Sequence, residues 1–202
     1  MNLKEKLQLH RRIVATFRFS PYKDFLSGML LNSLLRYNYW SNLPHEEIVS
    51  VIGPSNPGSE PEGYVIVADS ALNYYRGRYD MIVSDLDGPV EKIISDRESI
   101  KVIHAHGDNI DLISSNIPKI PGIVLGTTQS IPIGRVMNIG GFTDGDRSVL
   151  MAKLLGAKKV YIHGFDFSNP VDSPPGIKLE KLKLAKEIIG NIEGLDLTYI
   201  RE

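Results

Sequence analysis

There is no cysteine among the 202 residues of this chain. Disulfides, cysteine nucleophiles and thiolate metal sites are therefore excluded, and the absence is compatible with a reducing cytosol. An excess of either charge is missing too. Lys and Arg number 23 against 24 for Asp and Glu, a formal net charge of −1. That is not the basic balance of a general nucleic-acid binder. No stretch approaches the roughly 20 continuous apolar residues that a membrane span requires. FLSGMLLNSLL is apolar but short, and it lies between PYKD and RYNYW. The opening MNLKEKLQLHRR lacks the apolar core of a secretory signal. A cytoplasmic enzyme or binding protein is the expectation, with neither nucleic acid nor a membrane as partner.

What is present is the pattern of an α/β protein. Hydrophobic residues make up 42% of the chain and charged residues 23%, enough apolar material for a sizeable core at this length. The first forty residues read as helical. Leu3, Leu7 and Ile13 recur at loose helical spacing, and Pro21 suits the first turn of a second helix. Phe25, Met29, Leu30, Leu34 and Leu35 supply that helix with one buried face. After SNLPHE, short Val- and Ile-rich runs take over: EIVSVIG, GYVIVAD, YDMIVSD, IKVIHAH, PGIVLG and KKVYIHG. They read as strands buried in a mainly parallel sheet. Helical candidates lie between them in DSALNYYR, GPVEKIIS, DNIDLISSN and DGDRSVLMAKLLG, and PPGIKLEKLKLAKEII precedes LDLTYI. PIGRVMNIGG is a weaker strand candidate. This alternation predicts an open, mainly parallel, Rossmann-like sheet flanked by helices. The expected division is an N-terminal helical segment over 1–45 and an α/β catalytic domain over 46–202. The loop DFSNPVDSPPG is rich in turn-forming residues and reads equally as a lid or a connection. The apolar N-terminal helix is compatible with a homodimer.

In open α/β sheets, ligands bind beyond the C-terminal ends of the strands. Here those ends carry distinctive polar residues. Gly53, Pro54 and Ser55 follow VSVI, and Asp69 and Ser70 follow YVIVA. Asp85 and Asp87 follow MIVS, while His104, His106, Asp108 and Asn109 follow IKVI. Thr127, Thr128 and Gln129 follow GIVLG, and Asp166 follows KVYIHGF. Each admits a plain reading and a chemical one. GPSNPG is either a turn or a phosphate-approaching loop, although it matches neither GxGxxG nor a phosphate loop ending in GK[ST]. Asp85 and Asp87 are either a helix-capping turn or ligands for Mg²⁺, a hard cation that takes oxygen donors and shares substrate phosphates. His104, His106 and Asp108 suit a transition metal, a phosphate–magnesium site, or structural hydrogen bonding. In GGFTDGDRSV, Gly140 and Gly141 permit an unusual backbone path. Thr143, Asp144 and Asp146 either cap a helix or serve a nucleotide. Arg147 pairs with a carboxylate or grips a phosphate.

Taken in order, IGPSNPG, VADSAL, SDLDG, HAHGDN, GTTQ, GGFTDGDRSV and GAKKVYIHGFDFS resemble the archaeal 6-hydroxymethyl-7,8-dihydropterin pyrophosphokinase family, which is itself similar to thiamine pyrophosphokinase catalytic domains. These blocks span Gly53 to Ser168. The resemblance implies transfer of a diphosphate from ATP to the hydroxymethyl group of a reduced pterin, with AMP as the second product, on a route to folate or methanopterin. It implies Mg²⁺ at Asp85 and Asp87, with Asp108 the next metal or proton-handling candidate. His106 and Arg147 join these as catalytic candidates. Gly53, Pro54, Ser55, His104, Thr127, Thr128, Gln129, Asp144 and Asp146 are expected around ATP, and Asn109 and Asp166 at the pterin. The chain departs from the family pattern at Val51, where a further glycine is usual, and it lacks a phosphate-loop lysine. A thiamine pyrophosphokinase, a noncatalytic nucleotide-binding module and a metal-dependent hydrolase using His104, His106 and Asp108 are the competing readings.

Overall fold

The computed structural model describes residues 1–55, 58–168 and 176–200. Most of the DFSNPVDSPPG loop, and Asn56–Pro57 of GPSNPG, fall outside the described residues. The chain divides into two compact units, residues 1–43 with 82–140 and residues 44–81 with 141–202. The N-terminal helices thus belong to a unit with the middle of the chain. Both units are α/β, and five strand pairings within them are parallel.

The first unit opens with α1 (Leu3–Phe17) and α2 (Pro21–Leu34). Asn2 and Glu5 form a reciprocal capping box at the start of α1. Ser20 caps α2, and Pro21 occupies its first turn, where a missing N–H costs nothing. The strands are β3 (Met81–Ser84), β4 (Ile100–Ala105), β5 (Val124–Thr128) and β6 (Val136–Met137). They lie in the order β6-β5-β4-β3. α3 (Val90–Ser95) and α4 (Ile110–Asn116) complete the unit. Helix α2 packs on α4, β4, β5 and β6. Gly126 permits the approach to β5, because a Cβ there would lie 2.7 Å from Leu35 Cδ1. The PIGRVMNIGG run yields only the two-residue β6.

The second unit contains β1 (Ile48–Ile52), β2 (Tyr64–Ala68), β7 (Lys159–His163) and β8 (Asp196–Ile200), in the order β2-β1-β7-β8. Its helices are α5 (Asp144–Leu154) and α6 (Ile177–Gly190). Helix α5 packs against β1, β2 and α6. Val49, Val51 and Ile52 of β1 and Val65, Ile66 and Val67 of β2 are fully buried. Burial of successive residues means that both faces of these strands are covered, which is why their sequences run apolar rather than alternating. DSALNYYR does not form an α-helix. Asp69–Asn73 is a single 3₁₀ turn, which leaves Asp69 directly at the end of β2.

One buried cation sets the start of β4. Lys101 is fully buried, and its ammonium donates to Asp96 Oδ1 (2.7 Å), Asp96 O (2.9 Å) and Ser99 O (2.9 Å). All three of its protons are thereby used. Burial pushes the Asp96 carboxyl up, but the bonds from Lys101 and Ser99 outweigh this and hold it below the usual range. Removing one partner of such a pair strands the other, so Lys101→Ala should cost about 3 kcal/mol in urea denaturation. A loss below about 1 kcal/mol would show that the ion pair is not a structural anchor.

Candidate metal and phosphate site

SDLDG forms a strained turn. Ser84 Oγ accepts from the N–H of Leu86 at 2.9 Å, and Asp85 Oδ1 accepts from the N–H of Asp87 at 3.3 Å. Leu86 between them has φ +69° and is 1% exposed. A left-handed conformation is costly for a residue with a branched side chain, and burial of the isobutyl group opposes that cost. The turn leaves Asp85 partly buried and Asp87 exposed. One carboxylate oxygen from each of Asp69, Asp85 and Asp87 lies within 4.8 Å of the other two. An all-oxygen, anionic donor set of this kind suits a hard divalent cation such as Mg²⁺, and this acidic cluster can coordinate one. Asp69 was not assigned to the metal from sequence. The signal was its place after YVIVA, equivalent to that of Asp85 after MIVS.

HAHGDN closes on Asp85. His106 Nε2 lies 3.3 Å from Asp85 Oδ2, and His106 Nδ1 accepts from the N–H of Asp108 at 3.3 Å. This is the pattern of a neutral ring with its proton on Nε2, donating to the carboxylate. Asn109 is 1% exposed, and its hydrogen-bonding positions are taken. Nδ2 donates to Asp85 O and His104 O, both at 2.7 Å. Oδ1 accepts from His106 N (3.0 Å) and Ser27 Oγ (3.2 Å). Asn109 therefore binds the loop to the ends of β3 and β4 and to α2. Asp108 is exposed and is not a member of the carboxylate trio.

His104 is fully buried, with Nδ1 3.0 Å from Thr127 Oγ1, whose hydroxyl donates to Ile103 O at 3.3 Å. The hydroxyl has one proton to give, so His104 carries its own on Nδ1. Thr127, Thr128 and Gln129 are all buried. Thr128 Oγ1 accepts from the N–H of Ser130 at 3.1 Å, and Gln129 Nε2 donates to Asp24 Oδ2 at 3.0 Å.

In the second unit, the Gly53 and Ser55 N–H groups donate to His163 O (2.8 Å) and Gly164 O (3.0 Å). A Cβ on Gly53 would meet Gly164 O at 2.5 Å. The glycine is thus required for contact with the chain leaving β7. Pro54 and Ser55 are partly exposed. Gly140 and Gly141 both have φ +87°. Thr143 and Asp146 form a capping box at the start of α5. Asp146 Oδ1 accepts from the Phe142 and Thr143 N–H groups at 2.7 and 3.1 Å. Arg147 is 3% exposed. Its guanidinium donates to Phe142 O (2.8 Å) and pairs with Asp144 Oδ1 (3.2 Å). Asp166 is exposed, with Oδ1 accepting from Ser168 N at 2.8 Å.

The 6-hydroxymethyl-7,8-dihydropterin pyrophosphokinase of Pyrococcus furiosus is 35% identical over 94% of this chain and 93% of that protein. The enzyme of the same description from Methanocaldococcus jannaschii is 30% identical over 96% of each. The one from Methanothermobacter thermautotrophicus is 42% identical over 56% of this chain and 55% of that protein. The chain belongs to the 6-hydroxymethyl-7,8-dihydropterin pyrophosphokinase family. No protein-family profile matches it. Among the described residues, no helix of this family member is long and apolar enough to cross a membrane.

Asp146 makes the α5 start sensitive to pH. Burial pushes its carboxyl up to about 6, against the pull of Arg147 and the accepted N–H groups. Above that pH the native state holds a desolvated carboxylate that the unfolded chain would solvate. As pH falls from 7 to 5 the native state takes up the proton first, so this group adds stability on acidification. Wild type should therefore gain in urea midpoint relative to Asp146→Asn over that range. A constant difference between the two would show that Asp146 does not titrate there.

Proposed function

We propose that this chain transfers a diphosphate from ATP to 6-hydroxymethyl-7,8-dihydropterin, giving AMP and the pterin diphosphate. The observation that carries the reading is the Asp69, Asp85 and Asp87 trio at strand ends, in a chain whose relatives bear that enzyme's description over nearly their whole length. The hydroxymethyl oxygen attacks the β-phosphorus. The bond from that phosphorus to the oxygen bridging it to the α-phosphorus breaks, AMP leaves with the bridging oxygen, and the hydroxyl proton passes to a base. Such transfers need alignment and charge stabilisation more than a covalent nucleophile. Mg²⁺ held by the trio would neutralise phosphate charge as the bond to AMP breaks.

The roles of the chain's own groups follow their surroundings. Asp69, Asp85 and Asp87 hold the cation. His106, partly exposed and against Asp85, is assigned to the proton or the diphosphate, with Asp108 beside it. The Ser55 hydroxyl and Pro54 are assigned to ATP. Asp144 is oriented for that task by Arg147, while Asp146 and Thr143 hold the helix start. His104, Thr127 and Thr128 form the wall behind the loop. Asn109 acts by holding it, and Asp166 is assigned to the pterin. The thiamine analogue of this reaction uses the same phosphate chemistry, and only the acceptor distinguishes the two.

The assay supplies ATP, Mg²⁺ and either the reduced hydroxymethylpterin or thiamine, with mass analysis of products. AMP with pterin diphosphate is expected. ADP with a monophosphorylated product would reject diphosphate transfer, and thiamine diphosphate alone would reassign the acceptor. Asp85→Asn and Asp87→Asn keep side-chain shape but remove a charged donor. Each should lower kcat about 100-fold or more and weaken Mn²⁺ binding in calorimetry, since metal-bound charge is a large part of the rate. Normal Mn²⁺ affinity in both variants would remove the trio's assigned role.

A further inference from the structure

Asp24 is an anomaly on α2. It sits in a helix whose face is buried, and it is 1% exposed. Its carboxylate accepts from three donors on different parts of the first unit. Oδ1 takes the N–H of Gly107 at 2.7 Å, and Oδ2 takes His10 Nε2 at 2.8 Å and Gln129 Nε2 at 3.0 Å. His10 is 7% exposed and Gln129 4%. Burial pushes the Asp24 carboxyl up, but the hydrogen bonds from His10, Gly107 and Gln129 and the charge of His10 prevail and hold it below its usual range. The anion is thus maintained in a site where an unpaired one would be expelled.

A second observation points the same way. A Cβ on Gly107 would lie 2.6 Å from Lys23 Cβ and 3.3 Å from Asp24 Oδ1. The loop therefore rests directly on the first turn of α2, and only glycine allows it. His106 precedes Gly107, and its ring reaches Asp85. A continuous path runs from Asp24 through the Gly107 amide and His106 to a carboxylate of the trio.

We propose that Asp24 is a positioning residue of the carboxylate centre, acting through Gly107 and His106 on the orientation of Asp85. This rests on the reading of Asp69, Asp85 and Asp87 as a cation site. Groups that hydrogen-bond to a metal ligand and orient it typically affect metal affinity or activity by about 10- to 100-fold; His106 is such a group for Asp85, and Asp24 acts on it through Gly107. Asparagine at position 24 offers one acceptor oxygen where three donors converge, so the Gly107 anchor is weakened without a change of size.

The test is Mn²⁺ affinity by calorimetry, a readout independent of turnover, in wild type, Asp24→Asn, His106→Ala and the double variant. Asp24→Asn should weaken binding about tenfold or more. In the His106→Ala background the same substitution should change affinity by less than about twofold, because its route to Asp85 is already cut. Gly107→Ala keeps the carboxylate at position 24 and displaces the loop, because the added Cβ would lie 2.6 Å from Lys23 Cβ. It should reproduce the loss, and it carries the test if Asp24→Asn does not unfold cooperatively. Unchanged affinity in Asp24→Asn and Gly107→Ala overturns the proposal. So does an equal loss with and without His106, the mark of a merely structural role. A wild-type chain that binds no Mn²⁺ overturns the cation site itself, and the positioning role with it.

Discussion

The Asn109 side chain is the joint on which the candidate site depends. A buried primary amide offers two protons and two lone pairs, and each that lacks a partner costs about 1–3 kcal/mol. Here the protons go to the carbonyls of Asp85 and His104, and Oδ1 takes the His106 amide and the Ser27 hydroxyl. Those partners lie at the ends of β3 and β4, in the following loop and on α2. Apolar packing could set the strands side by side. It could not specify the height at which Asp85 leaves its strand, because dispersion contacts have little directionality. The amide supplies that direction, so Asp85 inherits its position from a group that cannot itself spare a hydrogen bond for a ligand.

The second constraint is electrostatic. Carboxylate oxygens within 4.8 Å of one another repel when all are ionised, and a divalent cation reverses the sign of that interaction. The chain accepts further cost in the same segment by holding Leu86 at φ +69°. An extended path would send Asp85 and Asp87 outward on one face with Leu86 opposite. The left-handed residue instead folds the segment into a turn while keeping the leucine inside. Local strain and like-charge crowding in one short stretch are what a ligand-binding segment tolerates and a simple connection has no reason to keep.

Most of the architecture was legible from periodicity. Val- and Ile-rich runs bounded by polar residues are the pattern of strands covered on both faces, and β1, β2, β3 and β4 match it. Pro21 and Ser20 mark the start of α2 by local chemistry alone. The 3₁₀ turn at Asp69–Asn73 was not legible, because DSALNYYR has apolar spacing short enough to fit either helix. Asp85 and Asp87 stood out by their spacing, but Asp69 is one carboxylate far away in sequence, and only the fold brings it near. The burial of Asp24 was equally hidden. Its partners Gly107 and Gln129 lie 83 and 105 residues away, and nothing local distinguishes it from a solvated helix-start aspartate.

The glycine loops bear on how a phosphate would be held in the proposed reaction. A glycine at a strand end serves either to let a ligand approach the backbone or to let another chain segment do so. For Gly53 the occupant is already present. Gly164 O fills the Cβ position, and the Gly53 and Ser55 amides donate to the chain leaving β7. At α5 the Phe142 and Thr143 amides are likewise spent on Asp146, and Arg147 donates to Phe142 O and Asp144. Backbone donors and a fixed arginine are the usual means of neutralising a polyphosphate. In these two segments those four amides and both terminal guanidinium nitrogens of Arg147 are engaged by the protein's own groups. In the proposed reaction, with no phosphate-loop lysine in the sequence, the burden would shift to a mobile cation, and a cation needs anionic ligands. A carboxylate cluster is thus the partner that the proposed reaction would require beside loops whose own donors are occupied.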